Sequence, residues 1–446
     1  MSKDLTTGGI AATIFELAWP TALAMSLQTA FRIADGVFVG MIGHKAFAAV
    51  TVIFPIFFLM LGFASMIGVG CTSLIARCIG GLRREQAVSA AGHGFALAAL
   101  FGVSFVALGL TFQRALYRLM GIEETLMPMV VEYGTWLFLW APFVFVGEAA
   151  GSILRAEGDM KTPLKIMAAA VVLNAVLDPL LIFGIGPFPR LELTGAALAT
   201  FLARVFGCVL IMEHVLRGRT GVQPRFRGFR PRARTLGSIL WVGLPASINH
   251  VIMGLTGMVF IWILTRFGAE AVAAYGALAR LNGIVILPCL GLGTAVLAIV
   301  GQCVGAELFG RAEKVTWRAV LYAVVVMEGM GLLFFLTPGL WPRIFVREPD
   351  VVRYAAVGLR VTSLSYMFMG ASIVVAAAFQ GAGHGLPALV VTLLRLVIIA
   401  VPAAYVLSVA VGLTGFWIAL AAASVAAGVV SAVWFKAGTW KRPSRL

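Results

Sequence analysis

The sequence predicts an all-α polytopic membrane protein, with twelve transmembrane helices arranged as two homologous six-helix lobes. Of its 446 residues, 61% are hydrophobic and only 12% are charged, and the mean hydropathy is +0.99. A soluble domain carries about 25% charged residues. Lipid must therefore be the solvent for most of this chain. Apolar runs long enough to cross a bilayer as a helix recur along its whole length.

Twelve such runs divide the chain in order. The first six spans are predicted at 14–40, 47–76, 88–111, 129–152, 164–184 and 194–216. The second six are predicted at 236–264, 271–302, 316–337, 354–379, 387–410 and 413–435. The stretch between the two sets is rich in Arg, Gly and Pro. We expect a first lobe at 1–216, a basic linker at 217–235, a second lobe at 236–435 and a basic tail at 436–446.

An internal repeat relates the two halves. Pro20 and Pro245 open the first and seventh spans, which gives an offset of 225 residues. The same offset pairs Gly43 with Gly268, Gly68 with Gly293, Cys78 with Cys303, Gly80 with Gly305 and Gly158 with Gly383. Because an even number of spans separates the halves, both run in the same orientation. The repeat predicts two lobes with a cavity between them, the usual site of alternating access in transporters.

The chain has a formal net charge of +15, and most of its basic residues lie in the predicted loops. Lys and Arg concentrate in alternate loops, which is the pattern of the positive-inside rule. It predicts a multi-pass protein of the cytoplasmic (inner) membrane whose two termini and basic linker face the cytoplasm. The same distribution argues against a nucleic-acid partner. The N-terminus lacks a short apolar core followed by a small-residue cleavage site, so no removable signal peptide is expected.

The first span carries an acid, Asp35, inside its apolar run. An ionised carboxylate in hydrocarbon costs roughly 2.5–3.5 kcal/mol even on the lenient insertion scale, so such residues mark function. Pro20 lies about four turns before Asp35 and removes one helical hydrogen bond, which makes a bend available. We expect a titratable switch here. The alternative is that Asp35 only pairs with Arg32, one turn earlier on the same helix.

The fifth span supplies partners for that acid. Asn174 and Asp178 are four residues apart and so share a face of the helix. Pro179 follows Asp178 and leaves a carbonyl free for an ion or water. Carboxylate and amide oxygens suit a proton relay or Na⁺ rather than a soft metal. The alternative is that Asp178 lies near the headgroups at the end of its span.

The second lobe has no matching acid, since the offset places Phe260 opposite Asp35. Its best ionisable candidate is Glu328, in the middle of the ninth span. Asn249 and His250 follow Pro245 in the seventh span, where a satisfied histidine is favoured over a switch. Four arginines also lie within spans and are expected to pair, snorkel or bind lipid phosphates: Arg204, Arg280, Arg360 and Arg395. Glu148 is expected to pair with Arg155.

Enzyme chemistry finds no support in the motifs. HExxH, paired acidic DDxxD, GxxxxGK[ST] and GxSxG patterns are absent, as are metal ligands at the usual spacings. We therefore expect no enzyme activity, no cofactor and no bound metal other than a coupling ion. Besides a coupled transporter, the alternatives are a flippase for lipid-linked oligosaccharide or polysaccharide precursors, a membrane-embedded lipid enzyme and a passive channel.

Several stretches resemble the multidrug and toxic compound extrusion (MATE) family. They are Pro20 with ADGVFVGMIGHKAFAAV, then LRAEGDMKTP, then LNAVLDPLLIFG followed by TGAALAT, and in the second half FGAEAVAAYGALARLNGI and LAIVGQCVGAELFGRA. The resemblance covers essentially the whole chain. It implies twelve helices, a V-shaped cleft between two lobes, and export of organic cations or other amphiphiles in exchange for H⁺ or Na⁺.

The resemblance also implies roles for particular residues. Asp35 matches the acid on the first helix of the cation site, Asn174 and Asp178 match its partners on the fifth helix, and Thr200 matches a hydroxyl on the sixth. Pro20 matches the proline at which some members are proposed to bend. The pattern is closest to the DinF-type branch. It departs from the NorM-type branch, which carries second-lobe acids in the seventh and tenth spans.

Together, these features predict an antiporter coupled to H⁺ rather than Na⁺ through its first lobe. Its partners are expected to be small organic cations or amphiphiles and membrane lipids, and it is expected to act as a monomer.

Overall fold

The computed structural model describes residues 4–227 and 229–442, and this part of the chain is almost wholly helical. The first lobe contains α1 (Ile10–Ile42), α2 (His44–Gly80), α3 (Arg84–Leu119), α4 (Met127–Ala156), α5 (Lys161–Phe183) and α6 (Glu192–Leu216). The second contains α7 (Ala233–Leu264), α8 (Ala269–Val285), α9 (Leu287–Gly305), α10 (Phe309–Leu336), α11 (Pro349–Ser363), α12 (Tyr366–Gly381), α13 (Leu386–Leu393), α14 (Val401–Val411) and α15 (Leu413–Lys436).

These helices account for the twelve predicted spans. Within the described residues, 11 helices are long and apolar enough to cross a membrane, and the number is 12 when α11 and α12, which are bent by 57° to each other, are counted as one span. The predicted eighth span is two helices, α8 and α9, which meet at Ile286. The predicted eleventh span contains a π-helix at Leu394–Ala400 between α13 and α14. The prediction of an all-α polytopic fold is confirmed.

Each lobe has its own apolar core, and one helix from each half crosses between them. The first turns of α1, including Ile14 and Leu17, lie in the core of the second lobe, whereas Val39 near its end lies in the core of the first. Helix α7 does the reverse, with Ile239 in the first core and Phe260 in the second. Pro20 and Pro245 lie inside these two crossing helices.

The lobes are pressed together at the end of the bundle that carries both described chain ends, which we call the closed face. A Cβ on Gly80 would overlap the carbonyl of Gln302, and a Cβ on Gly305 would overlap the carbonyl of Arg77. Both positions need glycine because the two backbones touch there. The two contacts are reciprocal under the 225-residue offset, so the sequence repeat is also a symmetry of the interface.

Hydrogen bonds reinforce this closed face. The buried amide of Gln302 accepts from the backbone N–H of Leu5 at 3.0 Å and donates to the carbonyl of Ala156 at 2.8 Å. The hydroxyl of Ser73 donates to the carbonyl of Gln380 at 2.5 Å. Gln302 therefore joins the end of α9, the end of α4 and the segment before α1 through one side chain.

At the opposite end of the bundle, which we call the open face, the two lobes diverge. Among the described residues, a Cβ would meet no atom within 4 Å at several glycines of the crossing and neighbouring helices: Gly36, Gly254, Gly257, Gly276 and Gly283. These positions leave open space beside the helices in this part of the bundle. Open positions of this kind agree with a V-shaped cleft whose mouth is at the open face.

The basic linker is packed rather than free. The backbone N–H of Val222 donates to the Glu157 carboxylate at 2.5 Å, and the backbone N–H of Arg232 donates to Nε2 of His93 at 2.7 Å. Glu157 follows the last turn of α4, and burial raises the pKa of its carboxyl. The tail is docked too, since Trp440 stacks on Phe435 with ring centroids 4.9 Å apart. The last four residues of the predicted tail lie outside the described residues.

Candidate functional site

The acids of the first lobe lie toward the open face, where α1 packs on α5. The rings of Phe38 and Phe183 meet edge to face, with centroids 6.5 Å apart, and fix the two helices side by side. Asp35 lies one turn before Phe38, and Asp178 lies five residues before Phe183. The two carboxyl groups are close enough to repel each other electrostatically. The structure therefore brings together two acids that are 143 residues apart in sequence.

Asn174 completes this pair from within α5. Its side-chain N–H donates to Oδ1 of Asp178 at 3.0 Å, and both residues are 1% exposed. The helical spacing of four residues predicted a common face, and the hydrogen bond confirms it. Asp178 is thus buried within the protein. The amide holds one carboxylate oxygen and leaves the other free.

Four shielded oxygens of this region lack hydrogen-bond partners within the described chain. They are Oδ1 of Asp35, Oδ1 of Asn174, Oδ2 of Asp178 and Oγ1 of Thr200. A buried polar atom without a partner costs free energy, so such a group calls for an explanation. Free carboxylate, amide and hydroxyl oxygens are the donor set that a proton or a hard cation such as Na⁺ requires. No hydrogen bond in the described chain joins Thr200 to either acid.

Arg204 and Tyr133 also belong to this region, and sequence reasoning did not assign them to it. The guanidinium of Arg204 attracts the carboxylate of Asp35. Tyr133 is buried on α4 and interacts electrostatically with Asp35, Asp178 and Arg204. Arg204 lies one turn after Thr200 on α6, a spacing that offered a signal. Tyr133 is one of 7 tyrosines, and no signal in the sequence distinguishes it from the others.

Arg32 does not pair with Asp35. Within the described chain no ion pair joins them, and the guanidinium that attracts Asp35 is that of Arg204. Arg32 instead repels Arg204. The alternative in which Asp35 merely neutralises its neighbour on the same helix is therefore wrong. The predicted pair of Glu148 and Arg155 is confirmed, with Nη2 of Arg155 at 2.8 Å from Oε2 of Glu148.

The candidates in the second lobe do not assemble into a comparable group. Glu328 lies on an exposed stripe of α10 next to Val325, and has no partner among the described residues. His250 places Nδ1 at 3.1 Å from the carbonyl of Ala246, one turn earlier on α7, which is the satisfied arrangement that was favoured. Asn249 has a shielded Oδ1 without a partner in the described chain, but no acid accompanies it.

Pro20 is buried at the point where α1 changes its packing partner. A Cβ on Gly291 of α9 would lie 2.7 Å from the carbonyl of Ala18, so the second lobe holds α1 just before the proline. Beyond it, α1 runs along α5 with Asp35. The helix is continuous through Pro20. The proline therefore joins a segment fixed to one lobe and a segment that carries the acid of the other.

Comparisons with known proteins agree with this architecture. A family model described as MatE matches residues 20–180 and 245–406. The chain is 28% identical over 432 residues to the FAD transporter of Shewanella oneidensis, covering 95% of this chain and 94% of that one. It is 28% identical over 410 residues to the probable multidrug resistance protein YoeA of Bacillus subtilis, covering 91% and 89%.

A solved structure gives the same result for the fold. The chain superposes on an outward-facing multidrug resistance MATE family transporter of the MOP superfamily with a TM-score of 0.93 and 28% identity, covering 99% of both chains. The two matched segments of the family model begin at Pro20 and Pro245, the residues from which the repeat is measured. These relatives are named as transport or resistance proteins, and none is named as an enzyme.

Proposed function

The chain belongs to the MatE family, whose members are multi-pass membrane transporters and not enzymes, and we propose that this one is a cation-coupled antiporter. It exports small organic cations or amphiphiles by alternating access. The coupling ion is H⁺ in preference to Na⁺, and the coupling site is Asp35, Asn174, Asp178 and Thr200.

One observation carries this proposal. Two carboxyl groups from different helices, Asp35 and Asp178, lie close enough to repel each other, and each has a shielded oxygen without a partner among the described residues, as do Asn174 and Thr200. Two like charges at short distance in a low-dielectric site are costly, so uptake of a proton or a cation is favoured. In the described part of the second lobe, no such pair of acids accompanies Asn249, His250 or Glu328. This difference supports coupling through the first lobe.

The proposed cycle uses the V shape directly. Both described chain ends and the basic linker lie at the closed face, so the positive-inside rule favours the cytoplasm on that side of an inner membrane. The structure is then outward-facing, and protons reach Asp35 from outside. Protonation removes the repulsion between Asp35 and Asp178 and lets α1 shift about Pro20. Substrate and proton oppose each other through one site, since each lowers the affinity for the other.

Export of phosphate-bearing amphiphiles is the second candidate function. Arg32 and Arg204 lie close enough to repel each other near the proposed site, and Arg395 of the second lobe has no partner in the described chain. The relative from Shewanella oneidensis is named an FAD transporter, and FAD carries phosphate. A phosphate group would compensate the positive charge of Arg32 and Arg395.

Reconstitution tests the proposed function. Purified protein in liposomes is given a fluorescent organic cation together with either a pH gradient or a Na⁺ gradient, and dye movement against its own gradient is recorded. We expect transport under the pH gradient and little under the Na⁺ gradient. Movement of dye under neither gradient, with FAD or a lipid-linked phosphate transported instead, would replace the first candidate by the second. Transport that only follows the dye gradient would identify a passive channel.

A further inference from the structure

Outside the proposed transport site, a cavity lined by three arginines lies at the open face of the second lobe. It has a volume of about 600 Å³ and lies between the loop that follows α10 and the first turns of α11. Arg343 and Arg347 of the loop and Arg353 of the helix line it, together with Val352 and Ala356. Three guanidinium groups therefore converge on one space at the membrane surface.

These charges are only partly compensated. Nη2 of Arg353 lies 3.0 Å from Oδ1 of Asp350, a pair that is largely exposed and therefore weak. Arg343 and Arg347 have no ion-pair or hydrogen-bond partner in the described chain, although Glu348 is adjacent in sequence. The cavity is left with a net positive charge and with donors that are free to bind an anion. Planar guanidinium groups are suited to hold a phosphate by two parallel hydrogen bonds.

The positive surface continues from the cavity toward the membrane interior. Arg360 lies seven residues after Arg353, which places it on the same face of α11 and about 10 Å further along the helix. From α8, the guanidinium of Arg280 lies over the ring of Phe345 at 5.8 Å from its centroid. An arginine below the headgroup level is costly without water or an anion beside it. Polar groups rather than acyl chains are therefore favoured beside the arginine face of α11.

Apolar side chains flank the same cavity. Leu340 and Ile344 belong to the loop that carries Arg343, and they are 59% and 65% exposed. Apolar groups beside a cationic cavity fit an amphiphile, with its phosphate on the arginines and its chains on the leucine and isoleucine. A free phosphate would use the arginines but would leave the apolar side chains in water. This difference decides between the two sources of phosphate.

We propose that the cavity of Arg343, Arg347 and Arg353 is a binding site for the phosphate headgroup of an anionic lipid in the leaflet at the open face. The lipid compensates the arginines and covers Leu340 and Ile344. The site lies on the second lobe, apart from Asp35 and Asp178, and its occupancy does not depend on which substrate is exported. In the orientation given under the proposed function, this loop lies on the non-cytoplasmic side, where basic residues are disfavoured, and the lipid compensates their charge.

The test compares lipid binding to matched variants of the full chain. Purified protein in detergent receives phosphatidylglycerol or phosphatidylcholine at equal mole fraction, and bound lipid is counted by native mass spectrometry. The site variant is Arg343→Gln/Arg347→Gln/Arg353→Gln. The control, Arg114→Gln/Arg118→Gln/Arg190→Gln, removes the same charge from the open face of the first lobe. We expect the site variant to bind phosphatidylglycerol at least about tenfold more weakly and the control to retain its affinity.

Two further measurements keep the test decisive. The triple Arg→Lys variant at the site conserves charge, so it should bind phosphatidylglycerol better than the Gln variant, and its thermal unfolding shows that the loop is intact. Inorganic phosphate is added as a competitor at the lipid concentration. Equal loss of binding in site and control variants, or displacement of the lipid by inorganic phosphate at that concentration, would overturn the proposal.

Discussion

The two lobes share a scaffold but not their buried polar chemistry. In the first, α1 and α5 bring Asp35 and Asp178 together, and Asn174 donates to one of them. In the second, the equivalent of Asp35 is Phe260, which packs edge to face on Phe416 at 5.5 Å between centroids. One helix position therefore carries a carboxyl in one lobe and an aromatic core contact in the other.

This difference shows that two requirements of alternating access can be met by different parts of the molecule. Two lobes must be able to close at either end, and the reciprocal contacts of Gly80 with Gln302 and Gly305 with Arg77 supply a symmetric interface for that purpose. Coupling of ion uptake to substrate export needs only one site that changes charge. A second such site would add a desolvation cost without strengthening the coupling. A duplicated scaffold in which only one lobe carries the pair of acids satisfies both requirements. Paired substitutions across the repeat can break or sharpen this comparison.

The largest expected effect comes from the in-span acids themselves. Asp35→Asn removes the charge change but keeps the size, so coupled transport should fall by about a hundredfold or more, to the uncoupled background. Glu328→Gln is the matched control in the second lobe, where the acid lies on an exposed stripe, and it should stay near the wild-type rate. Both are measured as dye transport in liposomes under an imposed pH gradient.

The opposite result would contradict the assignment of coupling to the first lobe. If Glu328→Gln abolished the pH dependence and Asp35→Asn left it intact, coupling would belong to the second lobe. Equal membrane insertion and thermal unfolding of the two variants must accompany the comparison, because removal of a buried acid also changes stability.

A smaller effect is expected at the two asparagines. Asn174→Ala removes the donor to Asp178 and leaves a buried carboxylate with less support, a loss worth roughly 1.5–3 kcal/mol. The proton concentration for half-maximal transport should then change by about tenfold. Asn249→Ala in the second lobe removes an amide whose oxygen has no partner in the described chain. Its proton dependence should match that of the wild type, and a shared shift would show that both lobes bind the ion.

The sequence predicted the scaffold better than the site. The spans were visible in a single sequence because the length of an apolar run defines a span. The two-lobe repeat was visible too, because the fixed offset from Pro20 to Pro245 reflects contacts such as that of Gly80 with Gln302. Asn174 with Asp178 was also visible, because helical spacing determines a shared face. Tyr133 and Arg204 join Asp35 from other helices, and no periodicity encodes which helices meet. The wrong pairing of Arg32 with Asp35 has the same origin: spacing permitted it, and the packing of α6 placed Arg204 there instead.

The smallest expected effect concerns the two crossing helices. Each changes lobes near a proline, at Pro20 in α1 and Pro245 in α7, but only the segment beyond Pro20 carries an acid. Replacement by alanine restores a helical hydrogen bond and resists bending in both. Both variants should therefore slow dye transport about threefold, as hinge substitutions do. Only Pro20→Ala should also flatten the dependence of the rate on outside pH, since only there does protonation act on the bend. A parallel loss of pH dependence in Pro245→Ala would mean that the proline positions serve the alternation of both lobes and that the charge of Asp35 acts elsewhere.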